Sequence, residues 1–278
     1  MRKLRKNNGF SLTEVLMSIG VLAMGMIFVA GVFPVGLYFA TISTERSIAA
    51  VVADEAFAKV RLYGLRVYDV NFPFLWPSPI PRIGCVDFND KDVSNKVFFR
   101  WEYAYPSGEY YAYHLEPDQI TSQKAAYSWS AICRFTNPDI PPPSAHLVEV
   151  TVFVCRKAGA SEHYRDPIDP TNSNRWVYYP RPVKVLISAG SNSGELVINN
   201  VLVKTFINDG YTIIDNATGQ LYRVLERYAA PRDQIILLDR PWQTVTWPNV
   251  SPSVWVIPPP FGGGRNPCIA VYQRTMRF

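Results

Sequence analysis

From Val15 to Thr44 no residue carries a charge, and most are apolar. These thirty residues exceed the roughly 20 that a helix needs to cross a bilayer. After Ala40 the apolar positions become periodic. Ile42, Ala49, Val52, Ala56 and Val60 recur at helical spacing, with Glu45, Arg46, Asp54, Glu55, Lys59 and Arg61 between them as a solvated face. Gly64 is a stop signal. The pattern predicts one helix over 10–64, with 10–40 in the membrane or a helix bundle; at about 1.5 Å per residue it is roughly 80 Å long. Gly20, Ala23, Gly25, Ala30, Gly31 and Gly36 let neighbouring helices approach, and Pro34 removes one backbone hydrogen bond and predicts a kink.

Beyond the helix the period changes from helical to alternating. Residues 71–81 hold four prolines with Phe72, Phe74 and Trp76 and read as an extended loop. Strand signals follow at 97–103, 126–135 and 146–156. Trp129, Ala131, Cys133 and Phe135 share one face of their strand, and Val148, Val150, Val152 and Val154 share one face of the next. The proline-rich stretch 137–143 joins them as a long-looped antiparallel pair. After a surface loop at 164–182, short strand signals recur at 183–188, 195–198, 201–207, 211–214, 220–225, 234–238 and 254–257. Turn signals at Asn208-Asp209-Gly210 and at 215–219 separate them. This spacing predicts a small SH3-like or OB-like barrel. A Pro/Gly loop and a terminal strand at 269–276 close the chain. The expected class is α+β, divided into a leader (1–9), a long helix (10–64), an antiparallel sheet domain (65–190), a small all-β region (191–260) and a C-terminal loop with a return strand (261–278).

The net charge of +5 says less than it first suggests. Arg2, Lys3, Arg5 and Lys6 precede the apolar run, and the residues after position 9 carry 24 basic against 23 acidic side chains. The basic balance therefore points to no nucleic acid partner. It points to orientation, because Lys and Arg beside a first membrane helix stay cytoplasmic and the chain beyond that helix is exported. In an exported chain Cys85, Cys133, Cys155 and Cys268 could form up to two disulfides, in three connectivities. Cys155 lies on the face opposite the four valines, so alternation does not pair it with Cys133.

The apolar run is too long for a secretory signal peptide, and no Ala-x-Ala site or lipid-accepting Cys closes it. A plain signal anchor explains the span and the charge asymmetry but gives Glu14 no role. A carboxylate within a membrane helix costs about 2.5–3.5 kcal/mol at the centre and persists mainly with a partner.

Gly9-Phe10-Ser11-Leu12-Thr13-Glu14-Val15-Leu16, followed by the apolar helix, resembles the N-terminus of type IV pilins and type II secretion pseudopilins. The resemblance covers about 35 residues of the 278. It implies cleavage after Gly9 by a prepilin peptidase, N-methylation of Phe10, and pairing of Glu14 with the terminal amine of a neighbouring subunit. Partners implied are the peptidase, other pilin or pseudopilin subunits, an inner-membrane assembly platform and the membrane itself. The implied shape is a long helix whose second half lies under an antiparallel sheet, with a region around Pro34 that can stretch. Val21-Leu22-Ala23-Met24-Gly25-Met26 is closer to minor pilins and pseudopilins than to major pilins. The chain is longer than an ordinary minor pseudopilin, so the all-β region departs from the family pattern.

Little in the sequence suggests catalysis, and no cofactor or metal is expected. His114, His146 and His163 sit in no recognisable constellation, and no nucleophile elbow, phosphate loop or paired Cys-x-x-Cys occurs. Asp87, Asn89, Asp90 and Asp92 invite a calcium reading, but the glycine and bidentate glutamate of an EF-hand loop are missing, which leaves a solvated turn. Gly262-Gly263-Gly264-Arg265 reads as a flexible loop, and Tyr103, Tyr105, Tyr110, Tyr111 and Tyr113 read as aromatic cover on an edge strand. The expected function is a non-catalytic, single-pass filament subunit with its globular region outside the cytoplasm. The rivals are a tip adhesin or DNA-binding subunit using the C-terminal β region, and a membrane-anchored surface enzyme.

Overall fold

The computed structural model describes residues 11–63, 86–87, 127–135, 147–156, 162–165, 169–172, 176–177, 179–243 and 251–277. The expectations for 71–81, 88–92, 97–103 and the tyrosines of 103–113 lie outside these residues, as do Gly9, Phe10, Cys85, His114 and His146. Two units divide the chain, Met1–Ile48 and Ala49–Phe278. The first holds most of a long apolar helix; the second holds the helix's last turns and a β region that is antiparallel throughout its described pairings. The class is α+β.

Helix α1 spans Leu12–Tyr63. Its first residues fit the expected apolar run, and Pro34 lies inside the assigned helix. From Ala49 onward one face is buried: Ala49, Ala53, Ala56, Phe57 and Val60, with Val52 partly covered. Three of the five are alanines, so the helix backbone can come close to what it covers.

That partner is a four-stranded sheet. Its strands are β1 (Val86–Asp87), β2 (Tyr127–Phe135), β3 (Leu147–Arg156) and, after the intervening β4 to β11, β12 (Cys268–Arg277), in the spatial order β1-β2-β3-β12. The register sets Trp129 opposite Val154, Ala131 opposite Val152 and Cys133 opposite Val150. These are the two faces that alternation assigned, and they meet the buried alanines of α1 in one core. The exposed Arg274 of β12 adds an ion pair to Asp54 (2.6 Å) and lies 4.7 Å above the ring of Phe57.

Between β3 and β12 the chain forms a hairpin, β4 (Tyr164–Arg165) with β5 (Trp176–Val177), and then a closed six-stranded barrel. The barrel strands are β6 (Val183–Ala189), β7 (Glu195–Ile198), β8 (Thr212–Asp215), β9 (Leu221–Arg227), β10 (Ile235–Leu238) and β11 (Ser253–Val256). They close in the order β10-β7-β6-β11-β8-β9. The barrel thus begins at Val183 with β6, the first of the short strands read for it, and the domain division expected at 190 falls after that strand. Val183, Val185 and Ile187 point into the barrel while Lys184, Leu186 and Ser188 point out, a clean period of two.

Two stretches differ in kind from the expectation. The segment 164–182, read as a surface loop, holds the β4–β5 pair and buries Tyr164 and Tyr179. Residues 201–207 read as a strand, yet Val201–Phe206 form a 3-10 helix. The cause is local: the side chain of Asn200 accepts the N–H of Leu202 at 2.9 Å, which caps a helical turn and competes with the β propensity of the valines. Val203 and Phe206 still enter the barrel core, three residues apart as a 3-10 turn requires.

Strands β8 and β11 are covered on both sides. Ile213, Val254 and Val256 fill the barrel, while Ile214, Trp255 and the following Ile257 turn outward onto Ile132, Phe153 and Cys155 of the sheet. Polar contacts fix this joint. The Asp215 carboxylate accepts the N–H groups of Ala217 and Thr218, closing the turn. Gly219, at φ +74°, then offers its carbonyl to Nε2 of Gln273 on β12 at 2.8 Å. Beneath it Arg134 and Glu149 pair at 2.8 Å, and a Cβ on residue 219 would strike both side chains.

Two glycines therefore separate conformational cost from steric cost. Gly210 has a similar φ of +76° but open space around it. We expect Gly210→Ala to lower stability by about 1–2 kcal/mol from the left-handed backbone alone. Gly219→Ala carries the same backbone cost, and its Cβ must also push aside the tips of Arg134 and Glu149 at the expense of their ion pair, about 0–1 kcal/mol more. Urea unfolding of the two variants in detergent checks this.

Candidate functional site

The site with the most distinctive chemistry is the first turn of α1 and the apolar surface behind it. The carbonyl of Ser11 accepts the N–H groups of Glu14 (3.0 Å) and Val15 (3.2 Å), so Ser11 caps the helix and Glu14 falls in its first turn. Ser11-Leu12-Thr13-Glu14 thereby spells the serine–glutamate spacing of a capping box. Sequence reasoning passed over this local signal. The Ser11 hydroxyl is taken up by Oγ1 of Thr13 at 2.6 Å. A carboxylate in this position opposes the helix dipole and contributes about 0.3–1 kcal/mol. That is smaller than the cost of holding it inside a bilayer (about 2.5–3.5 kcal/mol at the centre), so helix capping alone does not offset membrane burial.

Behind Glu14 every residue to Thr41 is exposed. Leu12–Ala58 is the candidate membrane span among the described residues; its most apolar 18-residue window has a mean hydropathy of 2.4, and none of that window is buried. Each large apolar side chain in this run is worth about 1.5–3 kcal/mol when removed from water. Summed over Leu12 to Phe39, the drive toward lipid or other helices is on the order of tens of kcal/mol. Val21, Leu22, Gly25, Met26, Val29 and Phe33 line a shallow apolar groove that ends beside Pro34. Among the described residues Gly20, Gly25, Gly31 and Gly36 have no tertiary neighbour within 4 Å of where a Cβ would stand, so their smallness serves no contact there.

In the barrel, buried acid groups are engaged in pairing. Oε1 of Glu195, a buried side chain, accepts the Tyr228 hydroxyl at 3.0 Å and lies 3.7 Å from Nη2 of Arg232. A hydrogen bond from Asn192 holds this carboxyl below the usual carboxylate range against the opposing effect of burial, and Tyr228 and Arg232 add to it. Tyr228 is pushed up, chiefly by its bond to Glu195. Asp233 is held low by its hydrogen bond to Lys204. Carboxylates stabilised as anions are poor proton donors near neutral pH, and here their oxygens tie Tyr228, Arg232 and Lys204 to the barrel.

The other residues singled out in the sequence are dispersed. Pro34 lies in the exposed run of α1. Cys133 is buried on the α1 side of the sheet, Cys155 is buried on the barrel side, and Cys268 is half-buried on the barrel side. His163 stacks edge-on against Trp176 at 4.0 Å, and its carbonyl accepts the N–H of Phe261. Gly262, Gly263 and Gly264 all have positive φ, as the glycine loop requires. Among the described residues no three His, Cys, Asp or Glu side chains are grouped to hold a metal ion.

The depressed values of Glu195 and Asp233 set a direction for acid. Their stabilisation is present above the unfolded carboxyl range near pH ~4 and is lost as pH falls through the lower folded values. Thermal melts in detergent from pH 7 downward should show the midpoint falling below about pH 4; Glu195→Gln should lower the midpoint at pH 7 and flatten that fall. No family model, curated protein or solved structure matches the chain.

Proposed function

We propose that this chain is a non-catalytic minor pilin or pseudopilin subunit, processed by a prepilin peptidase and assembled into a type IV pilus or a type II secretion pseudopilus. The observation that carries the reading is the stretch Gly9 to Leu16. A basic leader ends at Gly9, Phe10 follows it, and four residues after Phe10 a single carboxylate opens a thirty-residue uncharged run. An apolar helix with an exposed first-turn carboxylate and a long uncovered surface supports it. So does the burial of the helix's last turns against an antiparallel sheet, which is the arrangement the resemblance implies.

In this reading the chain enters the inner membrane once, with its leader in the cytoplasm and its β region exported. Hydrolysis of the Gly9–Phe10 peptide bond leaves a new amine at Phe10, which is then methylated. The Glu14 carboxylate pairs with the amine of a neighbouring subunit. Such a pair is worth little in water, about 0–1 kcal/mol, and far more where the alternative is a carboxylate in lipid. The groove from Val21 to Pro34 and the uncontacted glycines then meet other helices of the filament.

Mass spectrometry of the native protein extracted from membranes should find a chain beginning at N-methylated Phe10; an intact leader or a different start overturns the reading. Glu14→Ala should leave cleavage after Gly9 intact while reducing recovery of the subunit in sheared filaments or cross-linked assemblies by tenfold or more, on the order of 1.4 kcal/mol. Undiminished incorporation of that variant would remove Glu14 from the assembly step.

A further inference from the structure

The β12 strand returns to β3 with Cys268 directly opposite Cys155. The N–H of Arg156 donates to the carbonyl of Pro267 at 2.8 Å, one residue beyond the pair on each strand, and the N–H of Cys268 is taken by Oδ1 of Asn266. This is the pattern of a non-hydrogen-bonded antiparallel pair, in which the Cα atoms stand about 4.5 Å apart and the side chains are closest. That separation lies inside the span of roughly 4.4–6.8 Å that a disulfide bridges.

A bulge makes the facing possible. The register shifts between Cys268 and Ala270, so one extra residue, Ile269, resets the alternation of β12. Ala270 and Tyr272 face the α1 side, while Cys268 and Val271 face the barrel side together with Cys155. In an unbulged strand of the same sequence Ile269 would stand opposite Cys155, and Cys268 would face the α1 side. Cys133 lies on the opposite face of the sheet from both.

We propose that Cys155 and Cys268 are a redox pair that closes to a cross-strand disulfide, clamping the two ends of the barrel insertion. The pairing depends on β3 and β12 and not on the function proposed above. The oxidant is a disulfide of a small thiol or of a thiol–disulfide oxidoreductase. Cys268, the half-exposed member, attacks one sulfur of it as the thiolate and releases the first thiol. Cys155 then loses its proton and attacks Sγ of Cys268, releasing the second thiol. Two electrons and two protons pass to the oxidant, and one S–S bond replaces another. Burial pushes the Cys155 thiol up, as does its hydrogen bond with Cys268, which suits it to the resolving and not the attacking role. The bond encloses 112 residues, including the whole barrel.

The full chain in detergent is incubated with excess oxidised glutathione, quenched with acid, alkylated in denaturant and digested without reduction. We expect one linked peptide pair joining Cys155 to Cys268, and a thermal midpoint raised by roughly 5–15 °C over the reduced protein. Alkylated Cys155, or Cys155 linked to Cys85 or Cys133, overturns the proposal. Cys268→Ser, a change at a half-exposed position, should abolish both the link and the response of the midpoint to oxidant. An unchanged response in that variant also overturns it.

Discussion

Strand β3 is buried on both of its faces, and the rest of the β region is arranged around that fact. Val148, Val150, Val152 and Val154 look toward α1, while Phe153 and Cys155 look toward the barrel. A strand enclosed on both faces needs apolar residues at nearly every position, and the sequence from Val148 to Cys155 is interrupted only by Glu149 and Thr151. Glu149 is answered by Arg134 and Thr151 by Gln273, so each polar interruption coincides with a contact that fixes the barrel joint. Affinity between the layers is apolar; their alignment is polar.

Where a local physical signal determined the outcome, the fold was legible in the chain. The uncharged run gave α1, and the alternation in β2 and β3 gave the faces they bury, because a slip of one residue would have turned four valines outward. The turn at 215–219 was readable from its Asp, Thr and Gly, and it is closed by the Asp215 side chain. The 3-10 turn at Val201–Phe206 was missed because the propensity of its valines spoke louder than the capping Asn200. The order in which the barrel strands close could not be read either. Closure depends on β6 reaching β7 on one side and β11 on the other, and β11 lies far along the chain.

The same distinction applies to the candidate site. Glu14 was recognisable because a charge at the edge of an apolar run is conspicuous, and the capping geometry adds a local reason for its position without supplying the partner that a membrane demands. The cysteines were visible as residues but not as a pair. Their opposition depends on a single extra residue in β12, and no periodicity in the sequence announces a bulge.

The barrel leaves the sheet after β3 and returns at β12, and these two strands are neighbours. An insertion with adjacent ends is the kind of segment a fold can lengthen, shorten or exchange, since the register on either side does not depend on what lies between. Here that freedom is limited. Ile214, Trp255 and Ile257 cover the second face of β3, so the barrel is also part of the roof over the sheet's core. A substitute module would have to bring its own apolar face to Phe153 and Ile132. The surface of the barrel that points away from the sheet is under no such obligation, and it is there that the sequence is free to vary without disturbing the core.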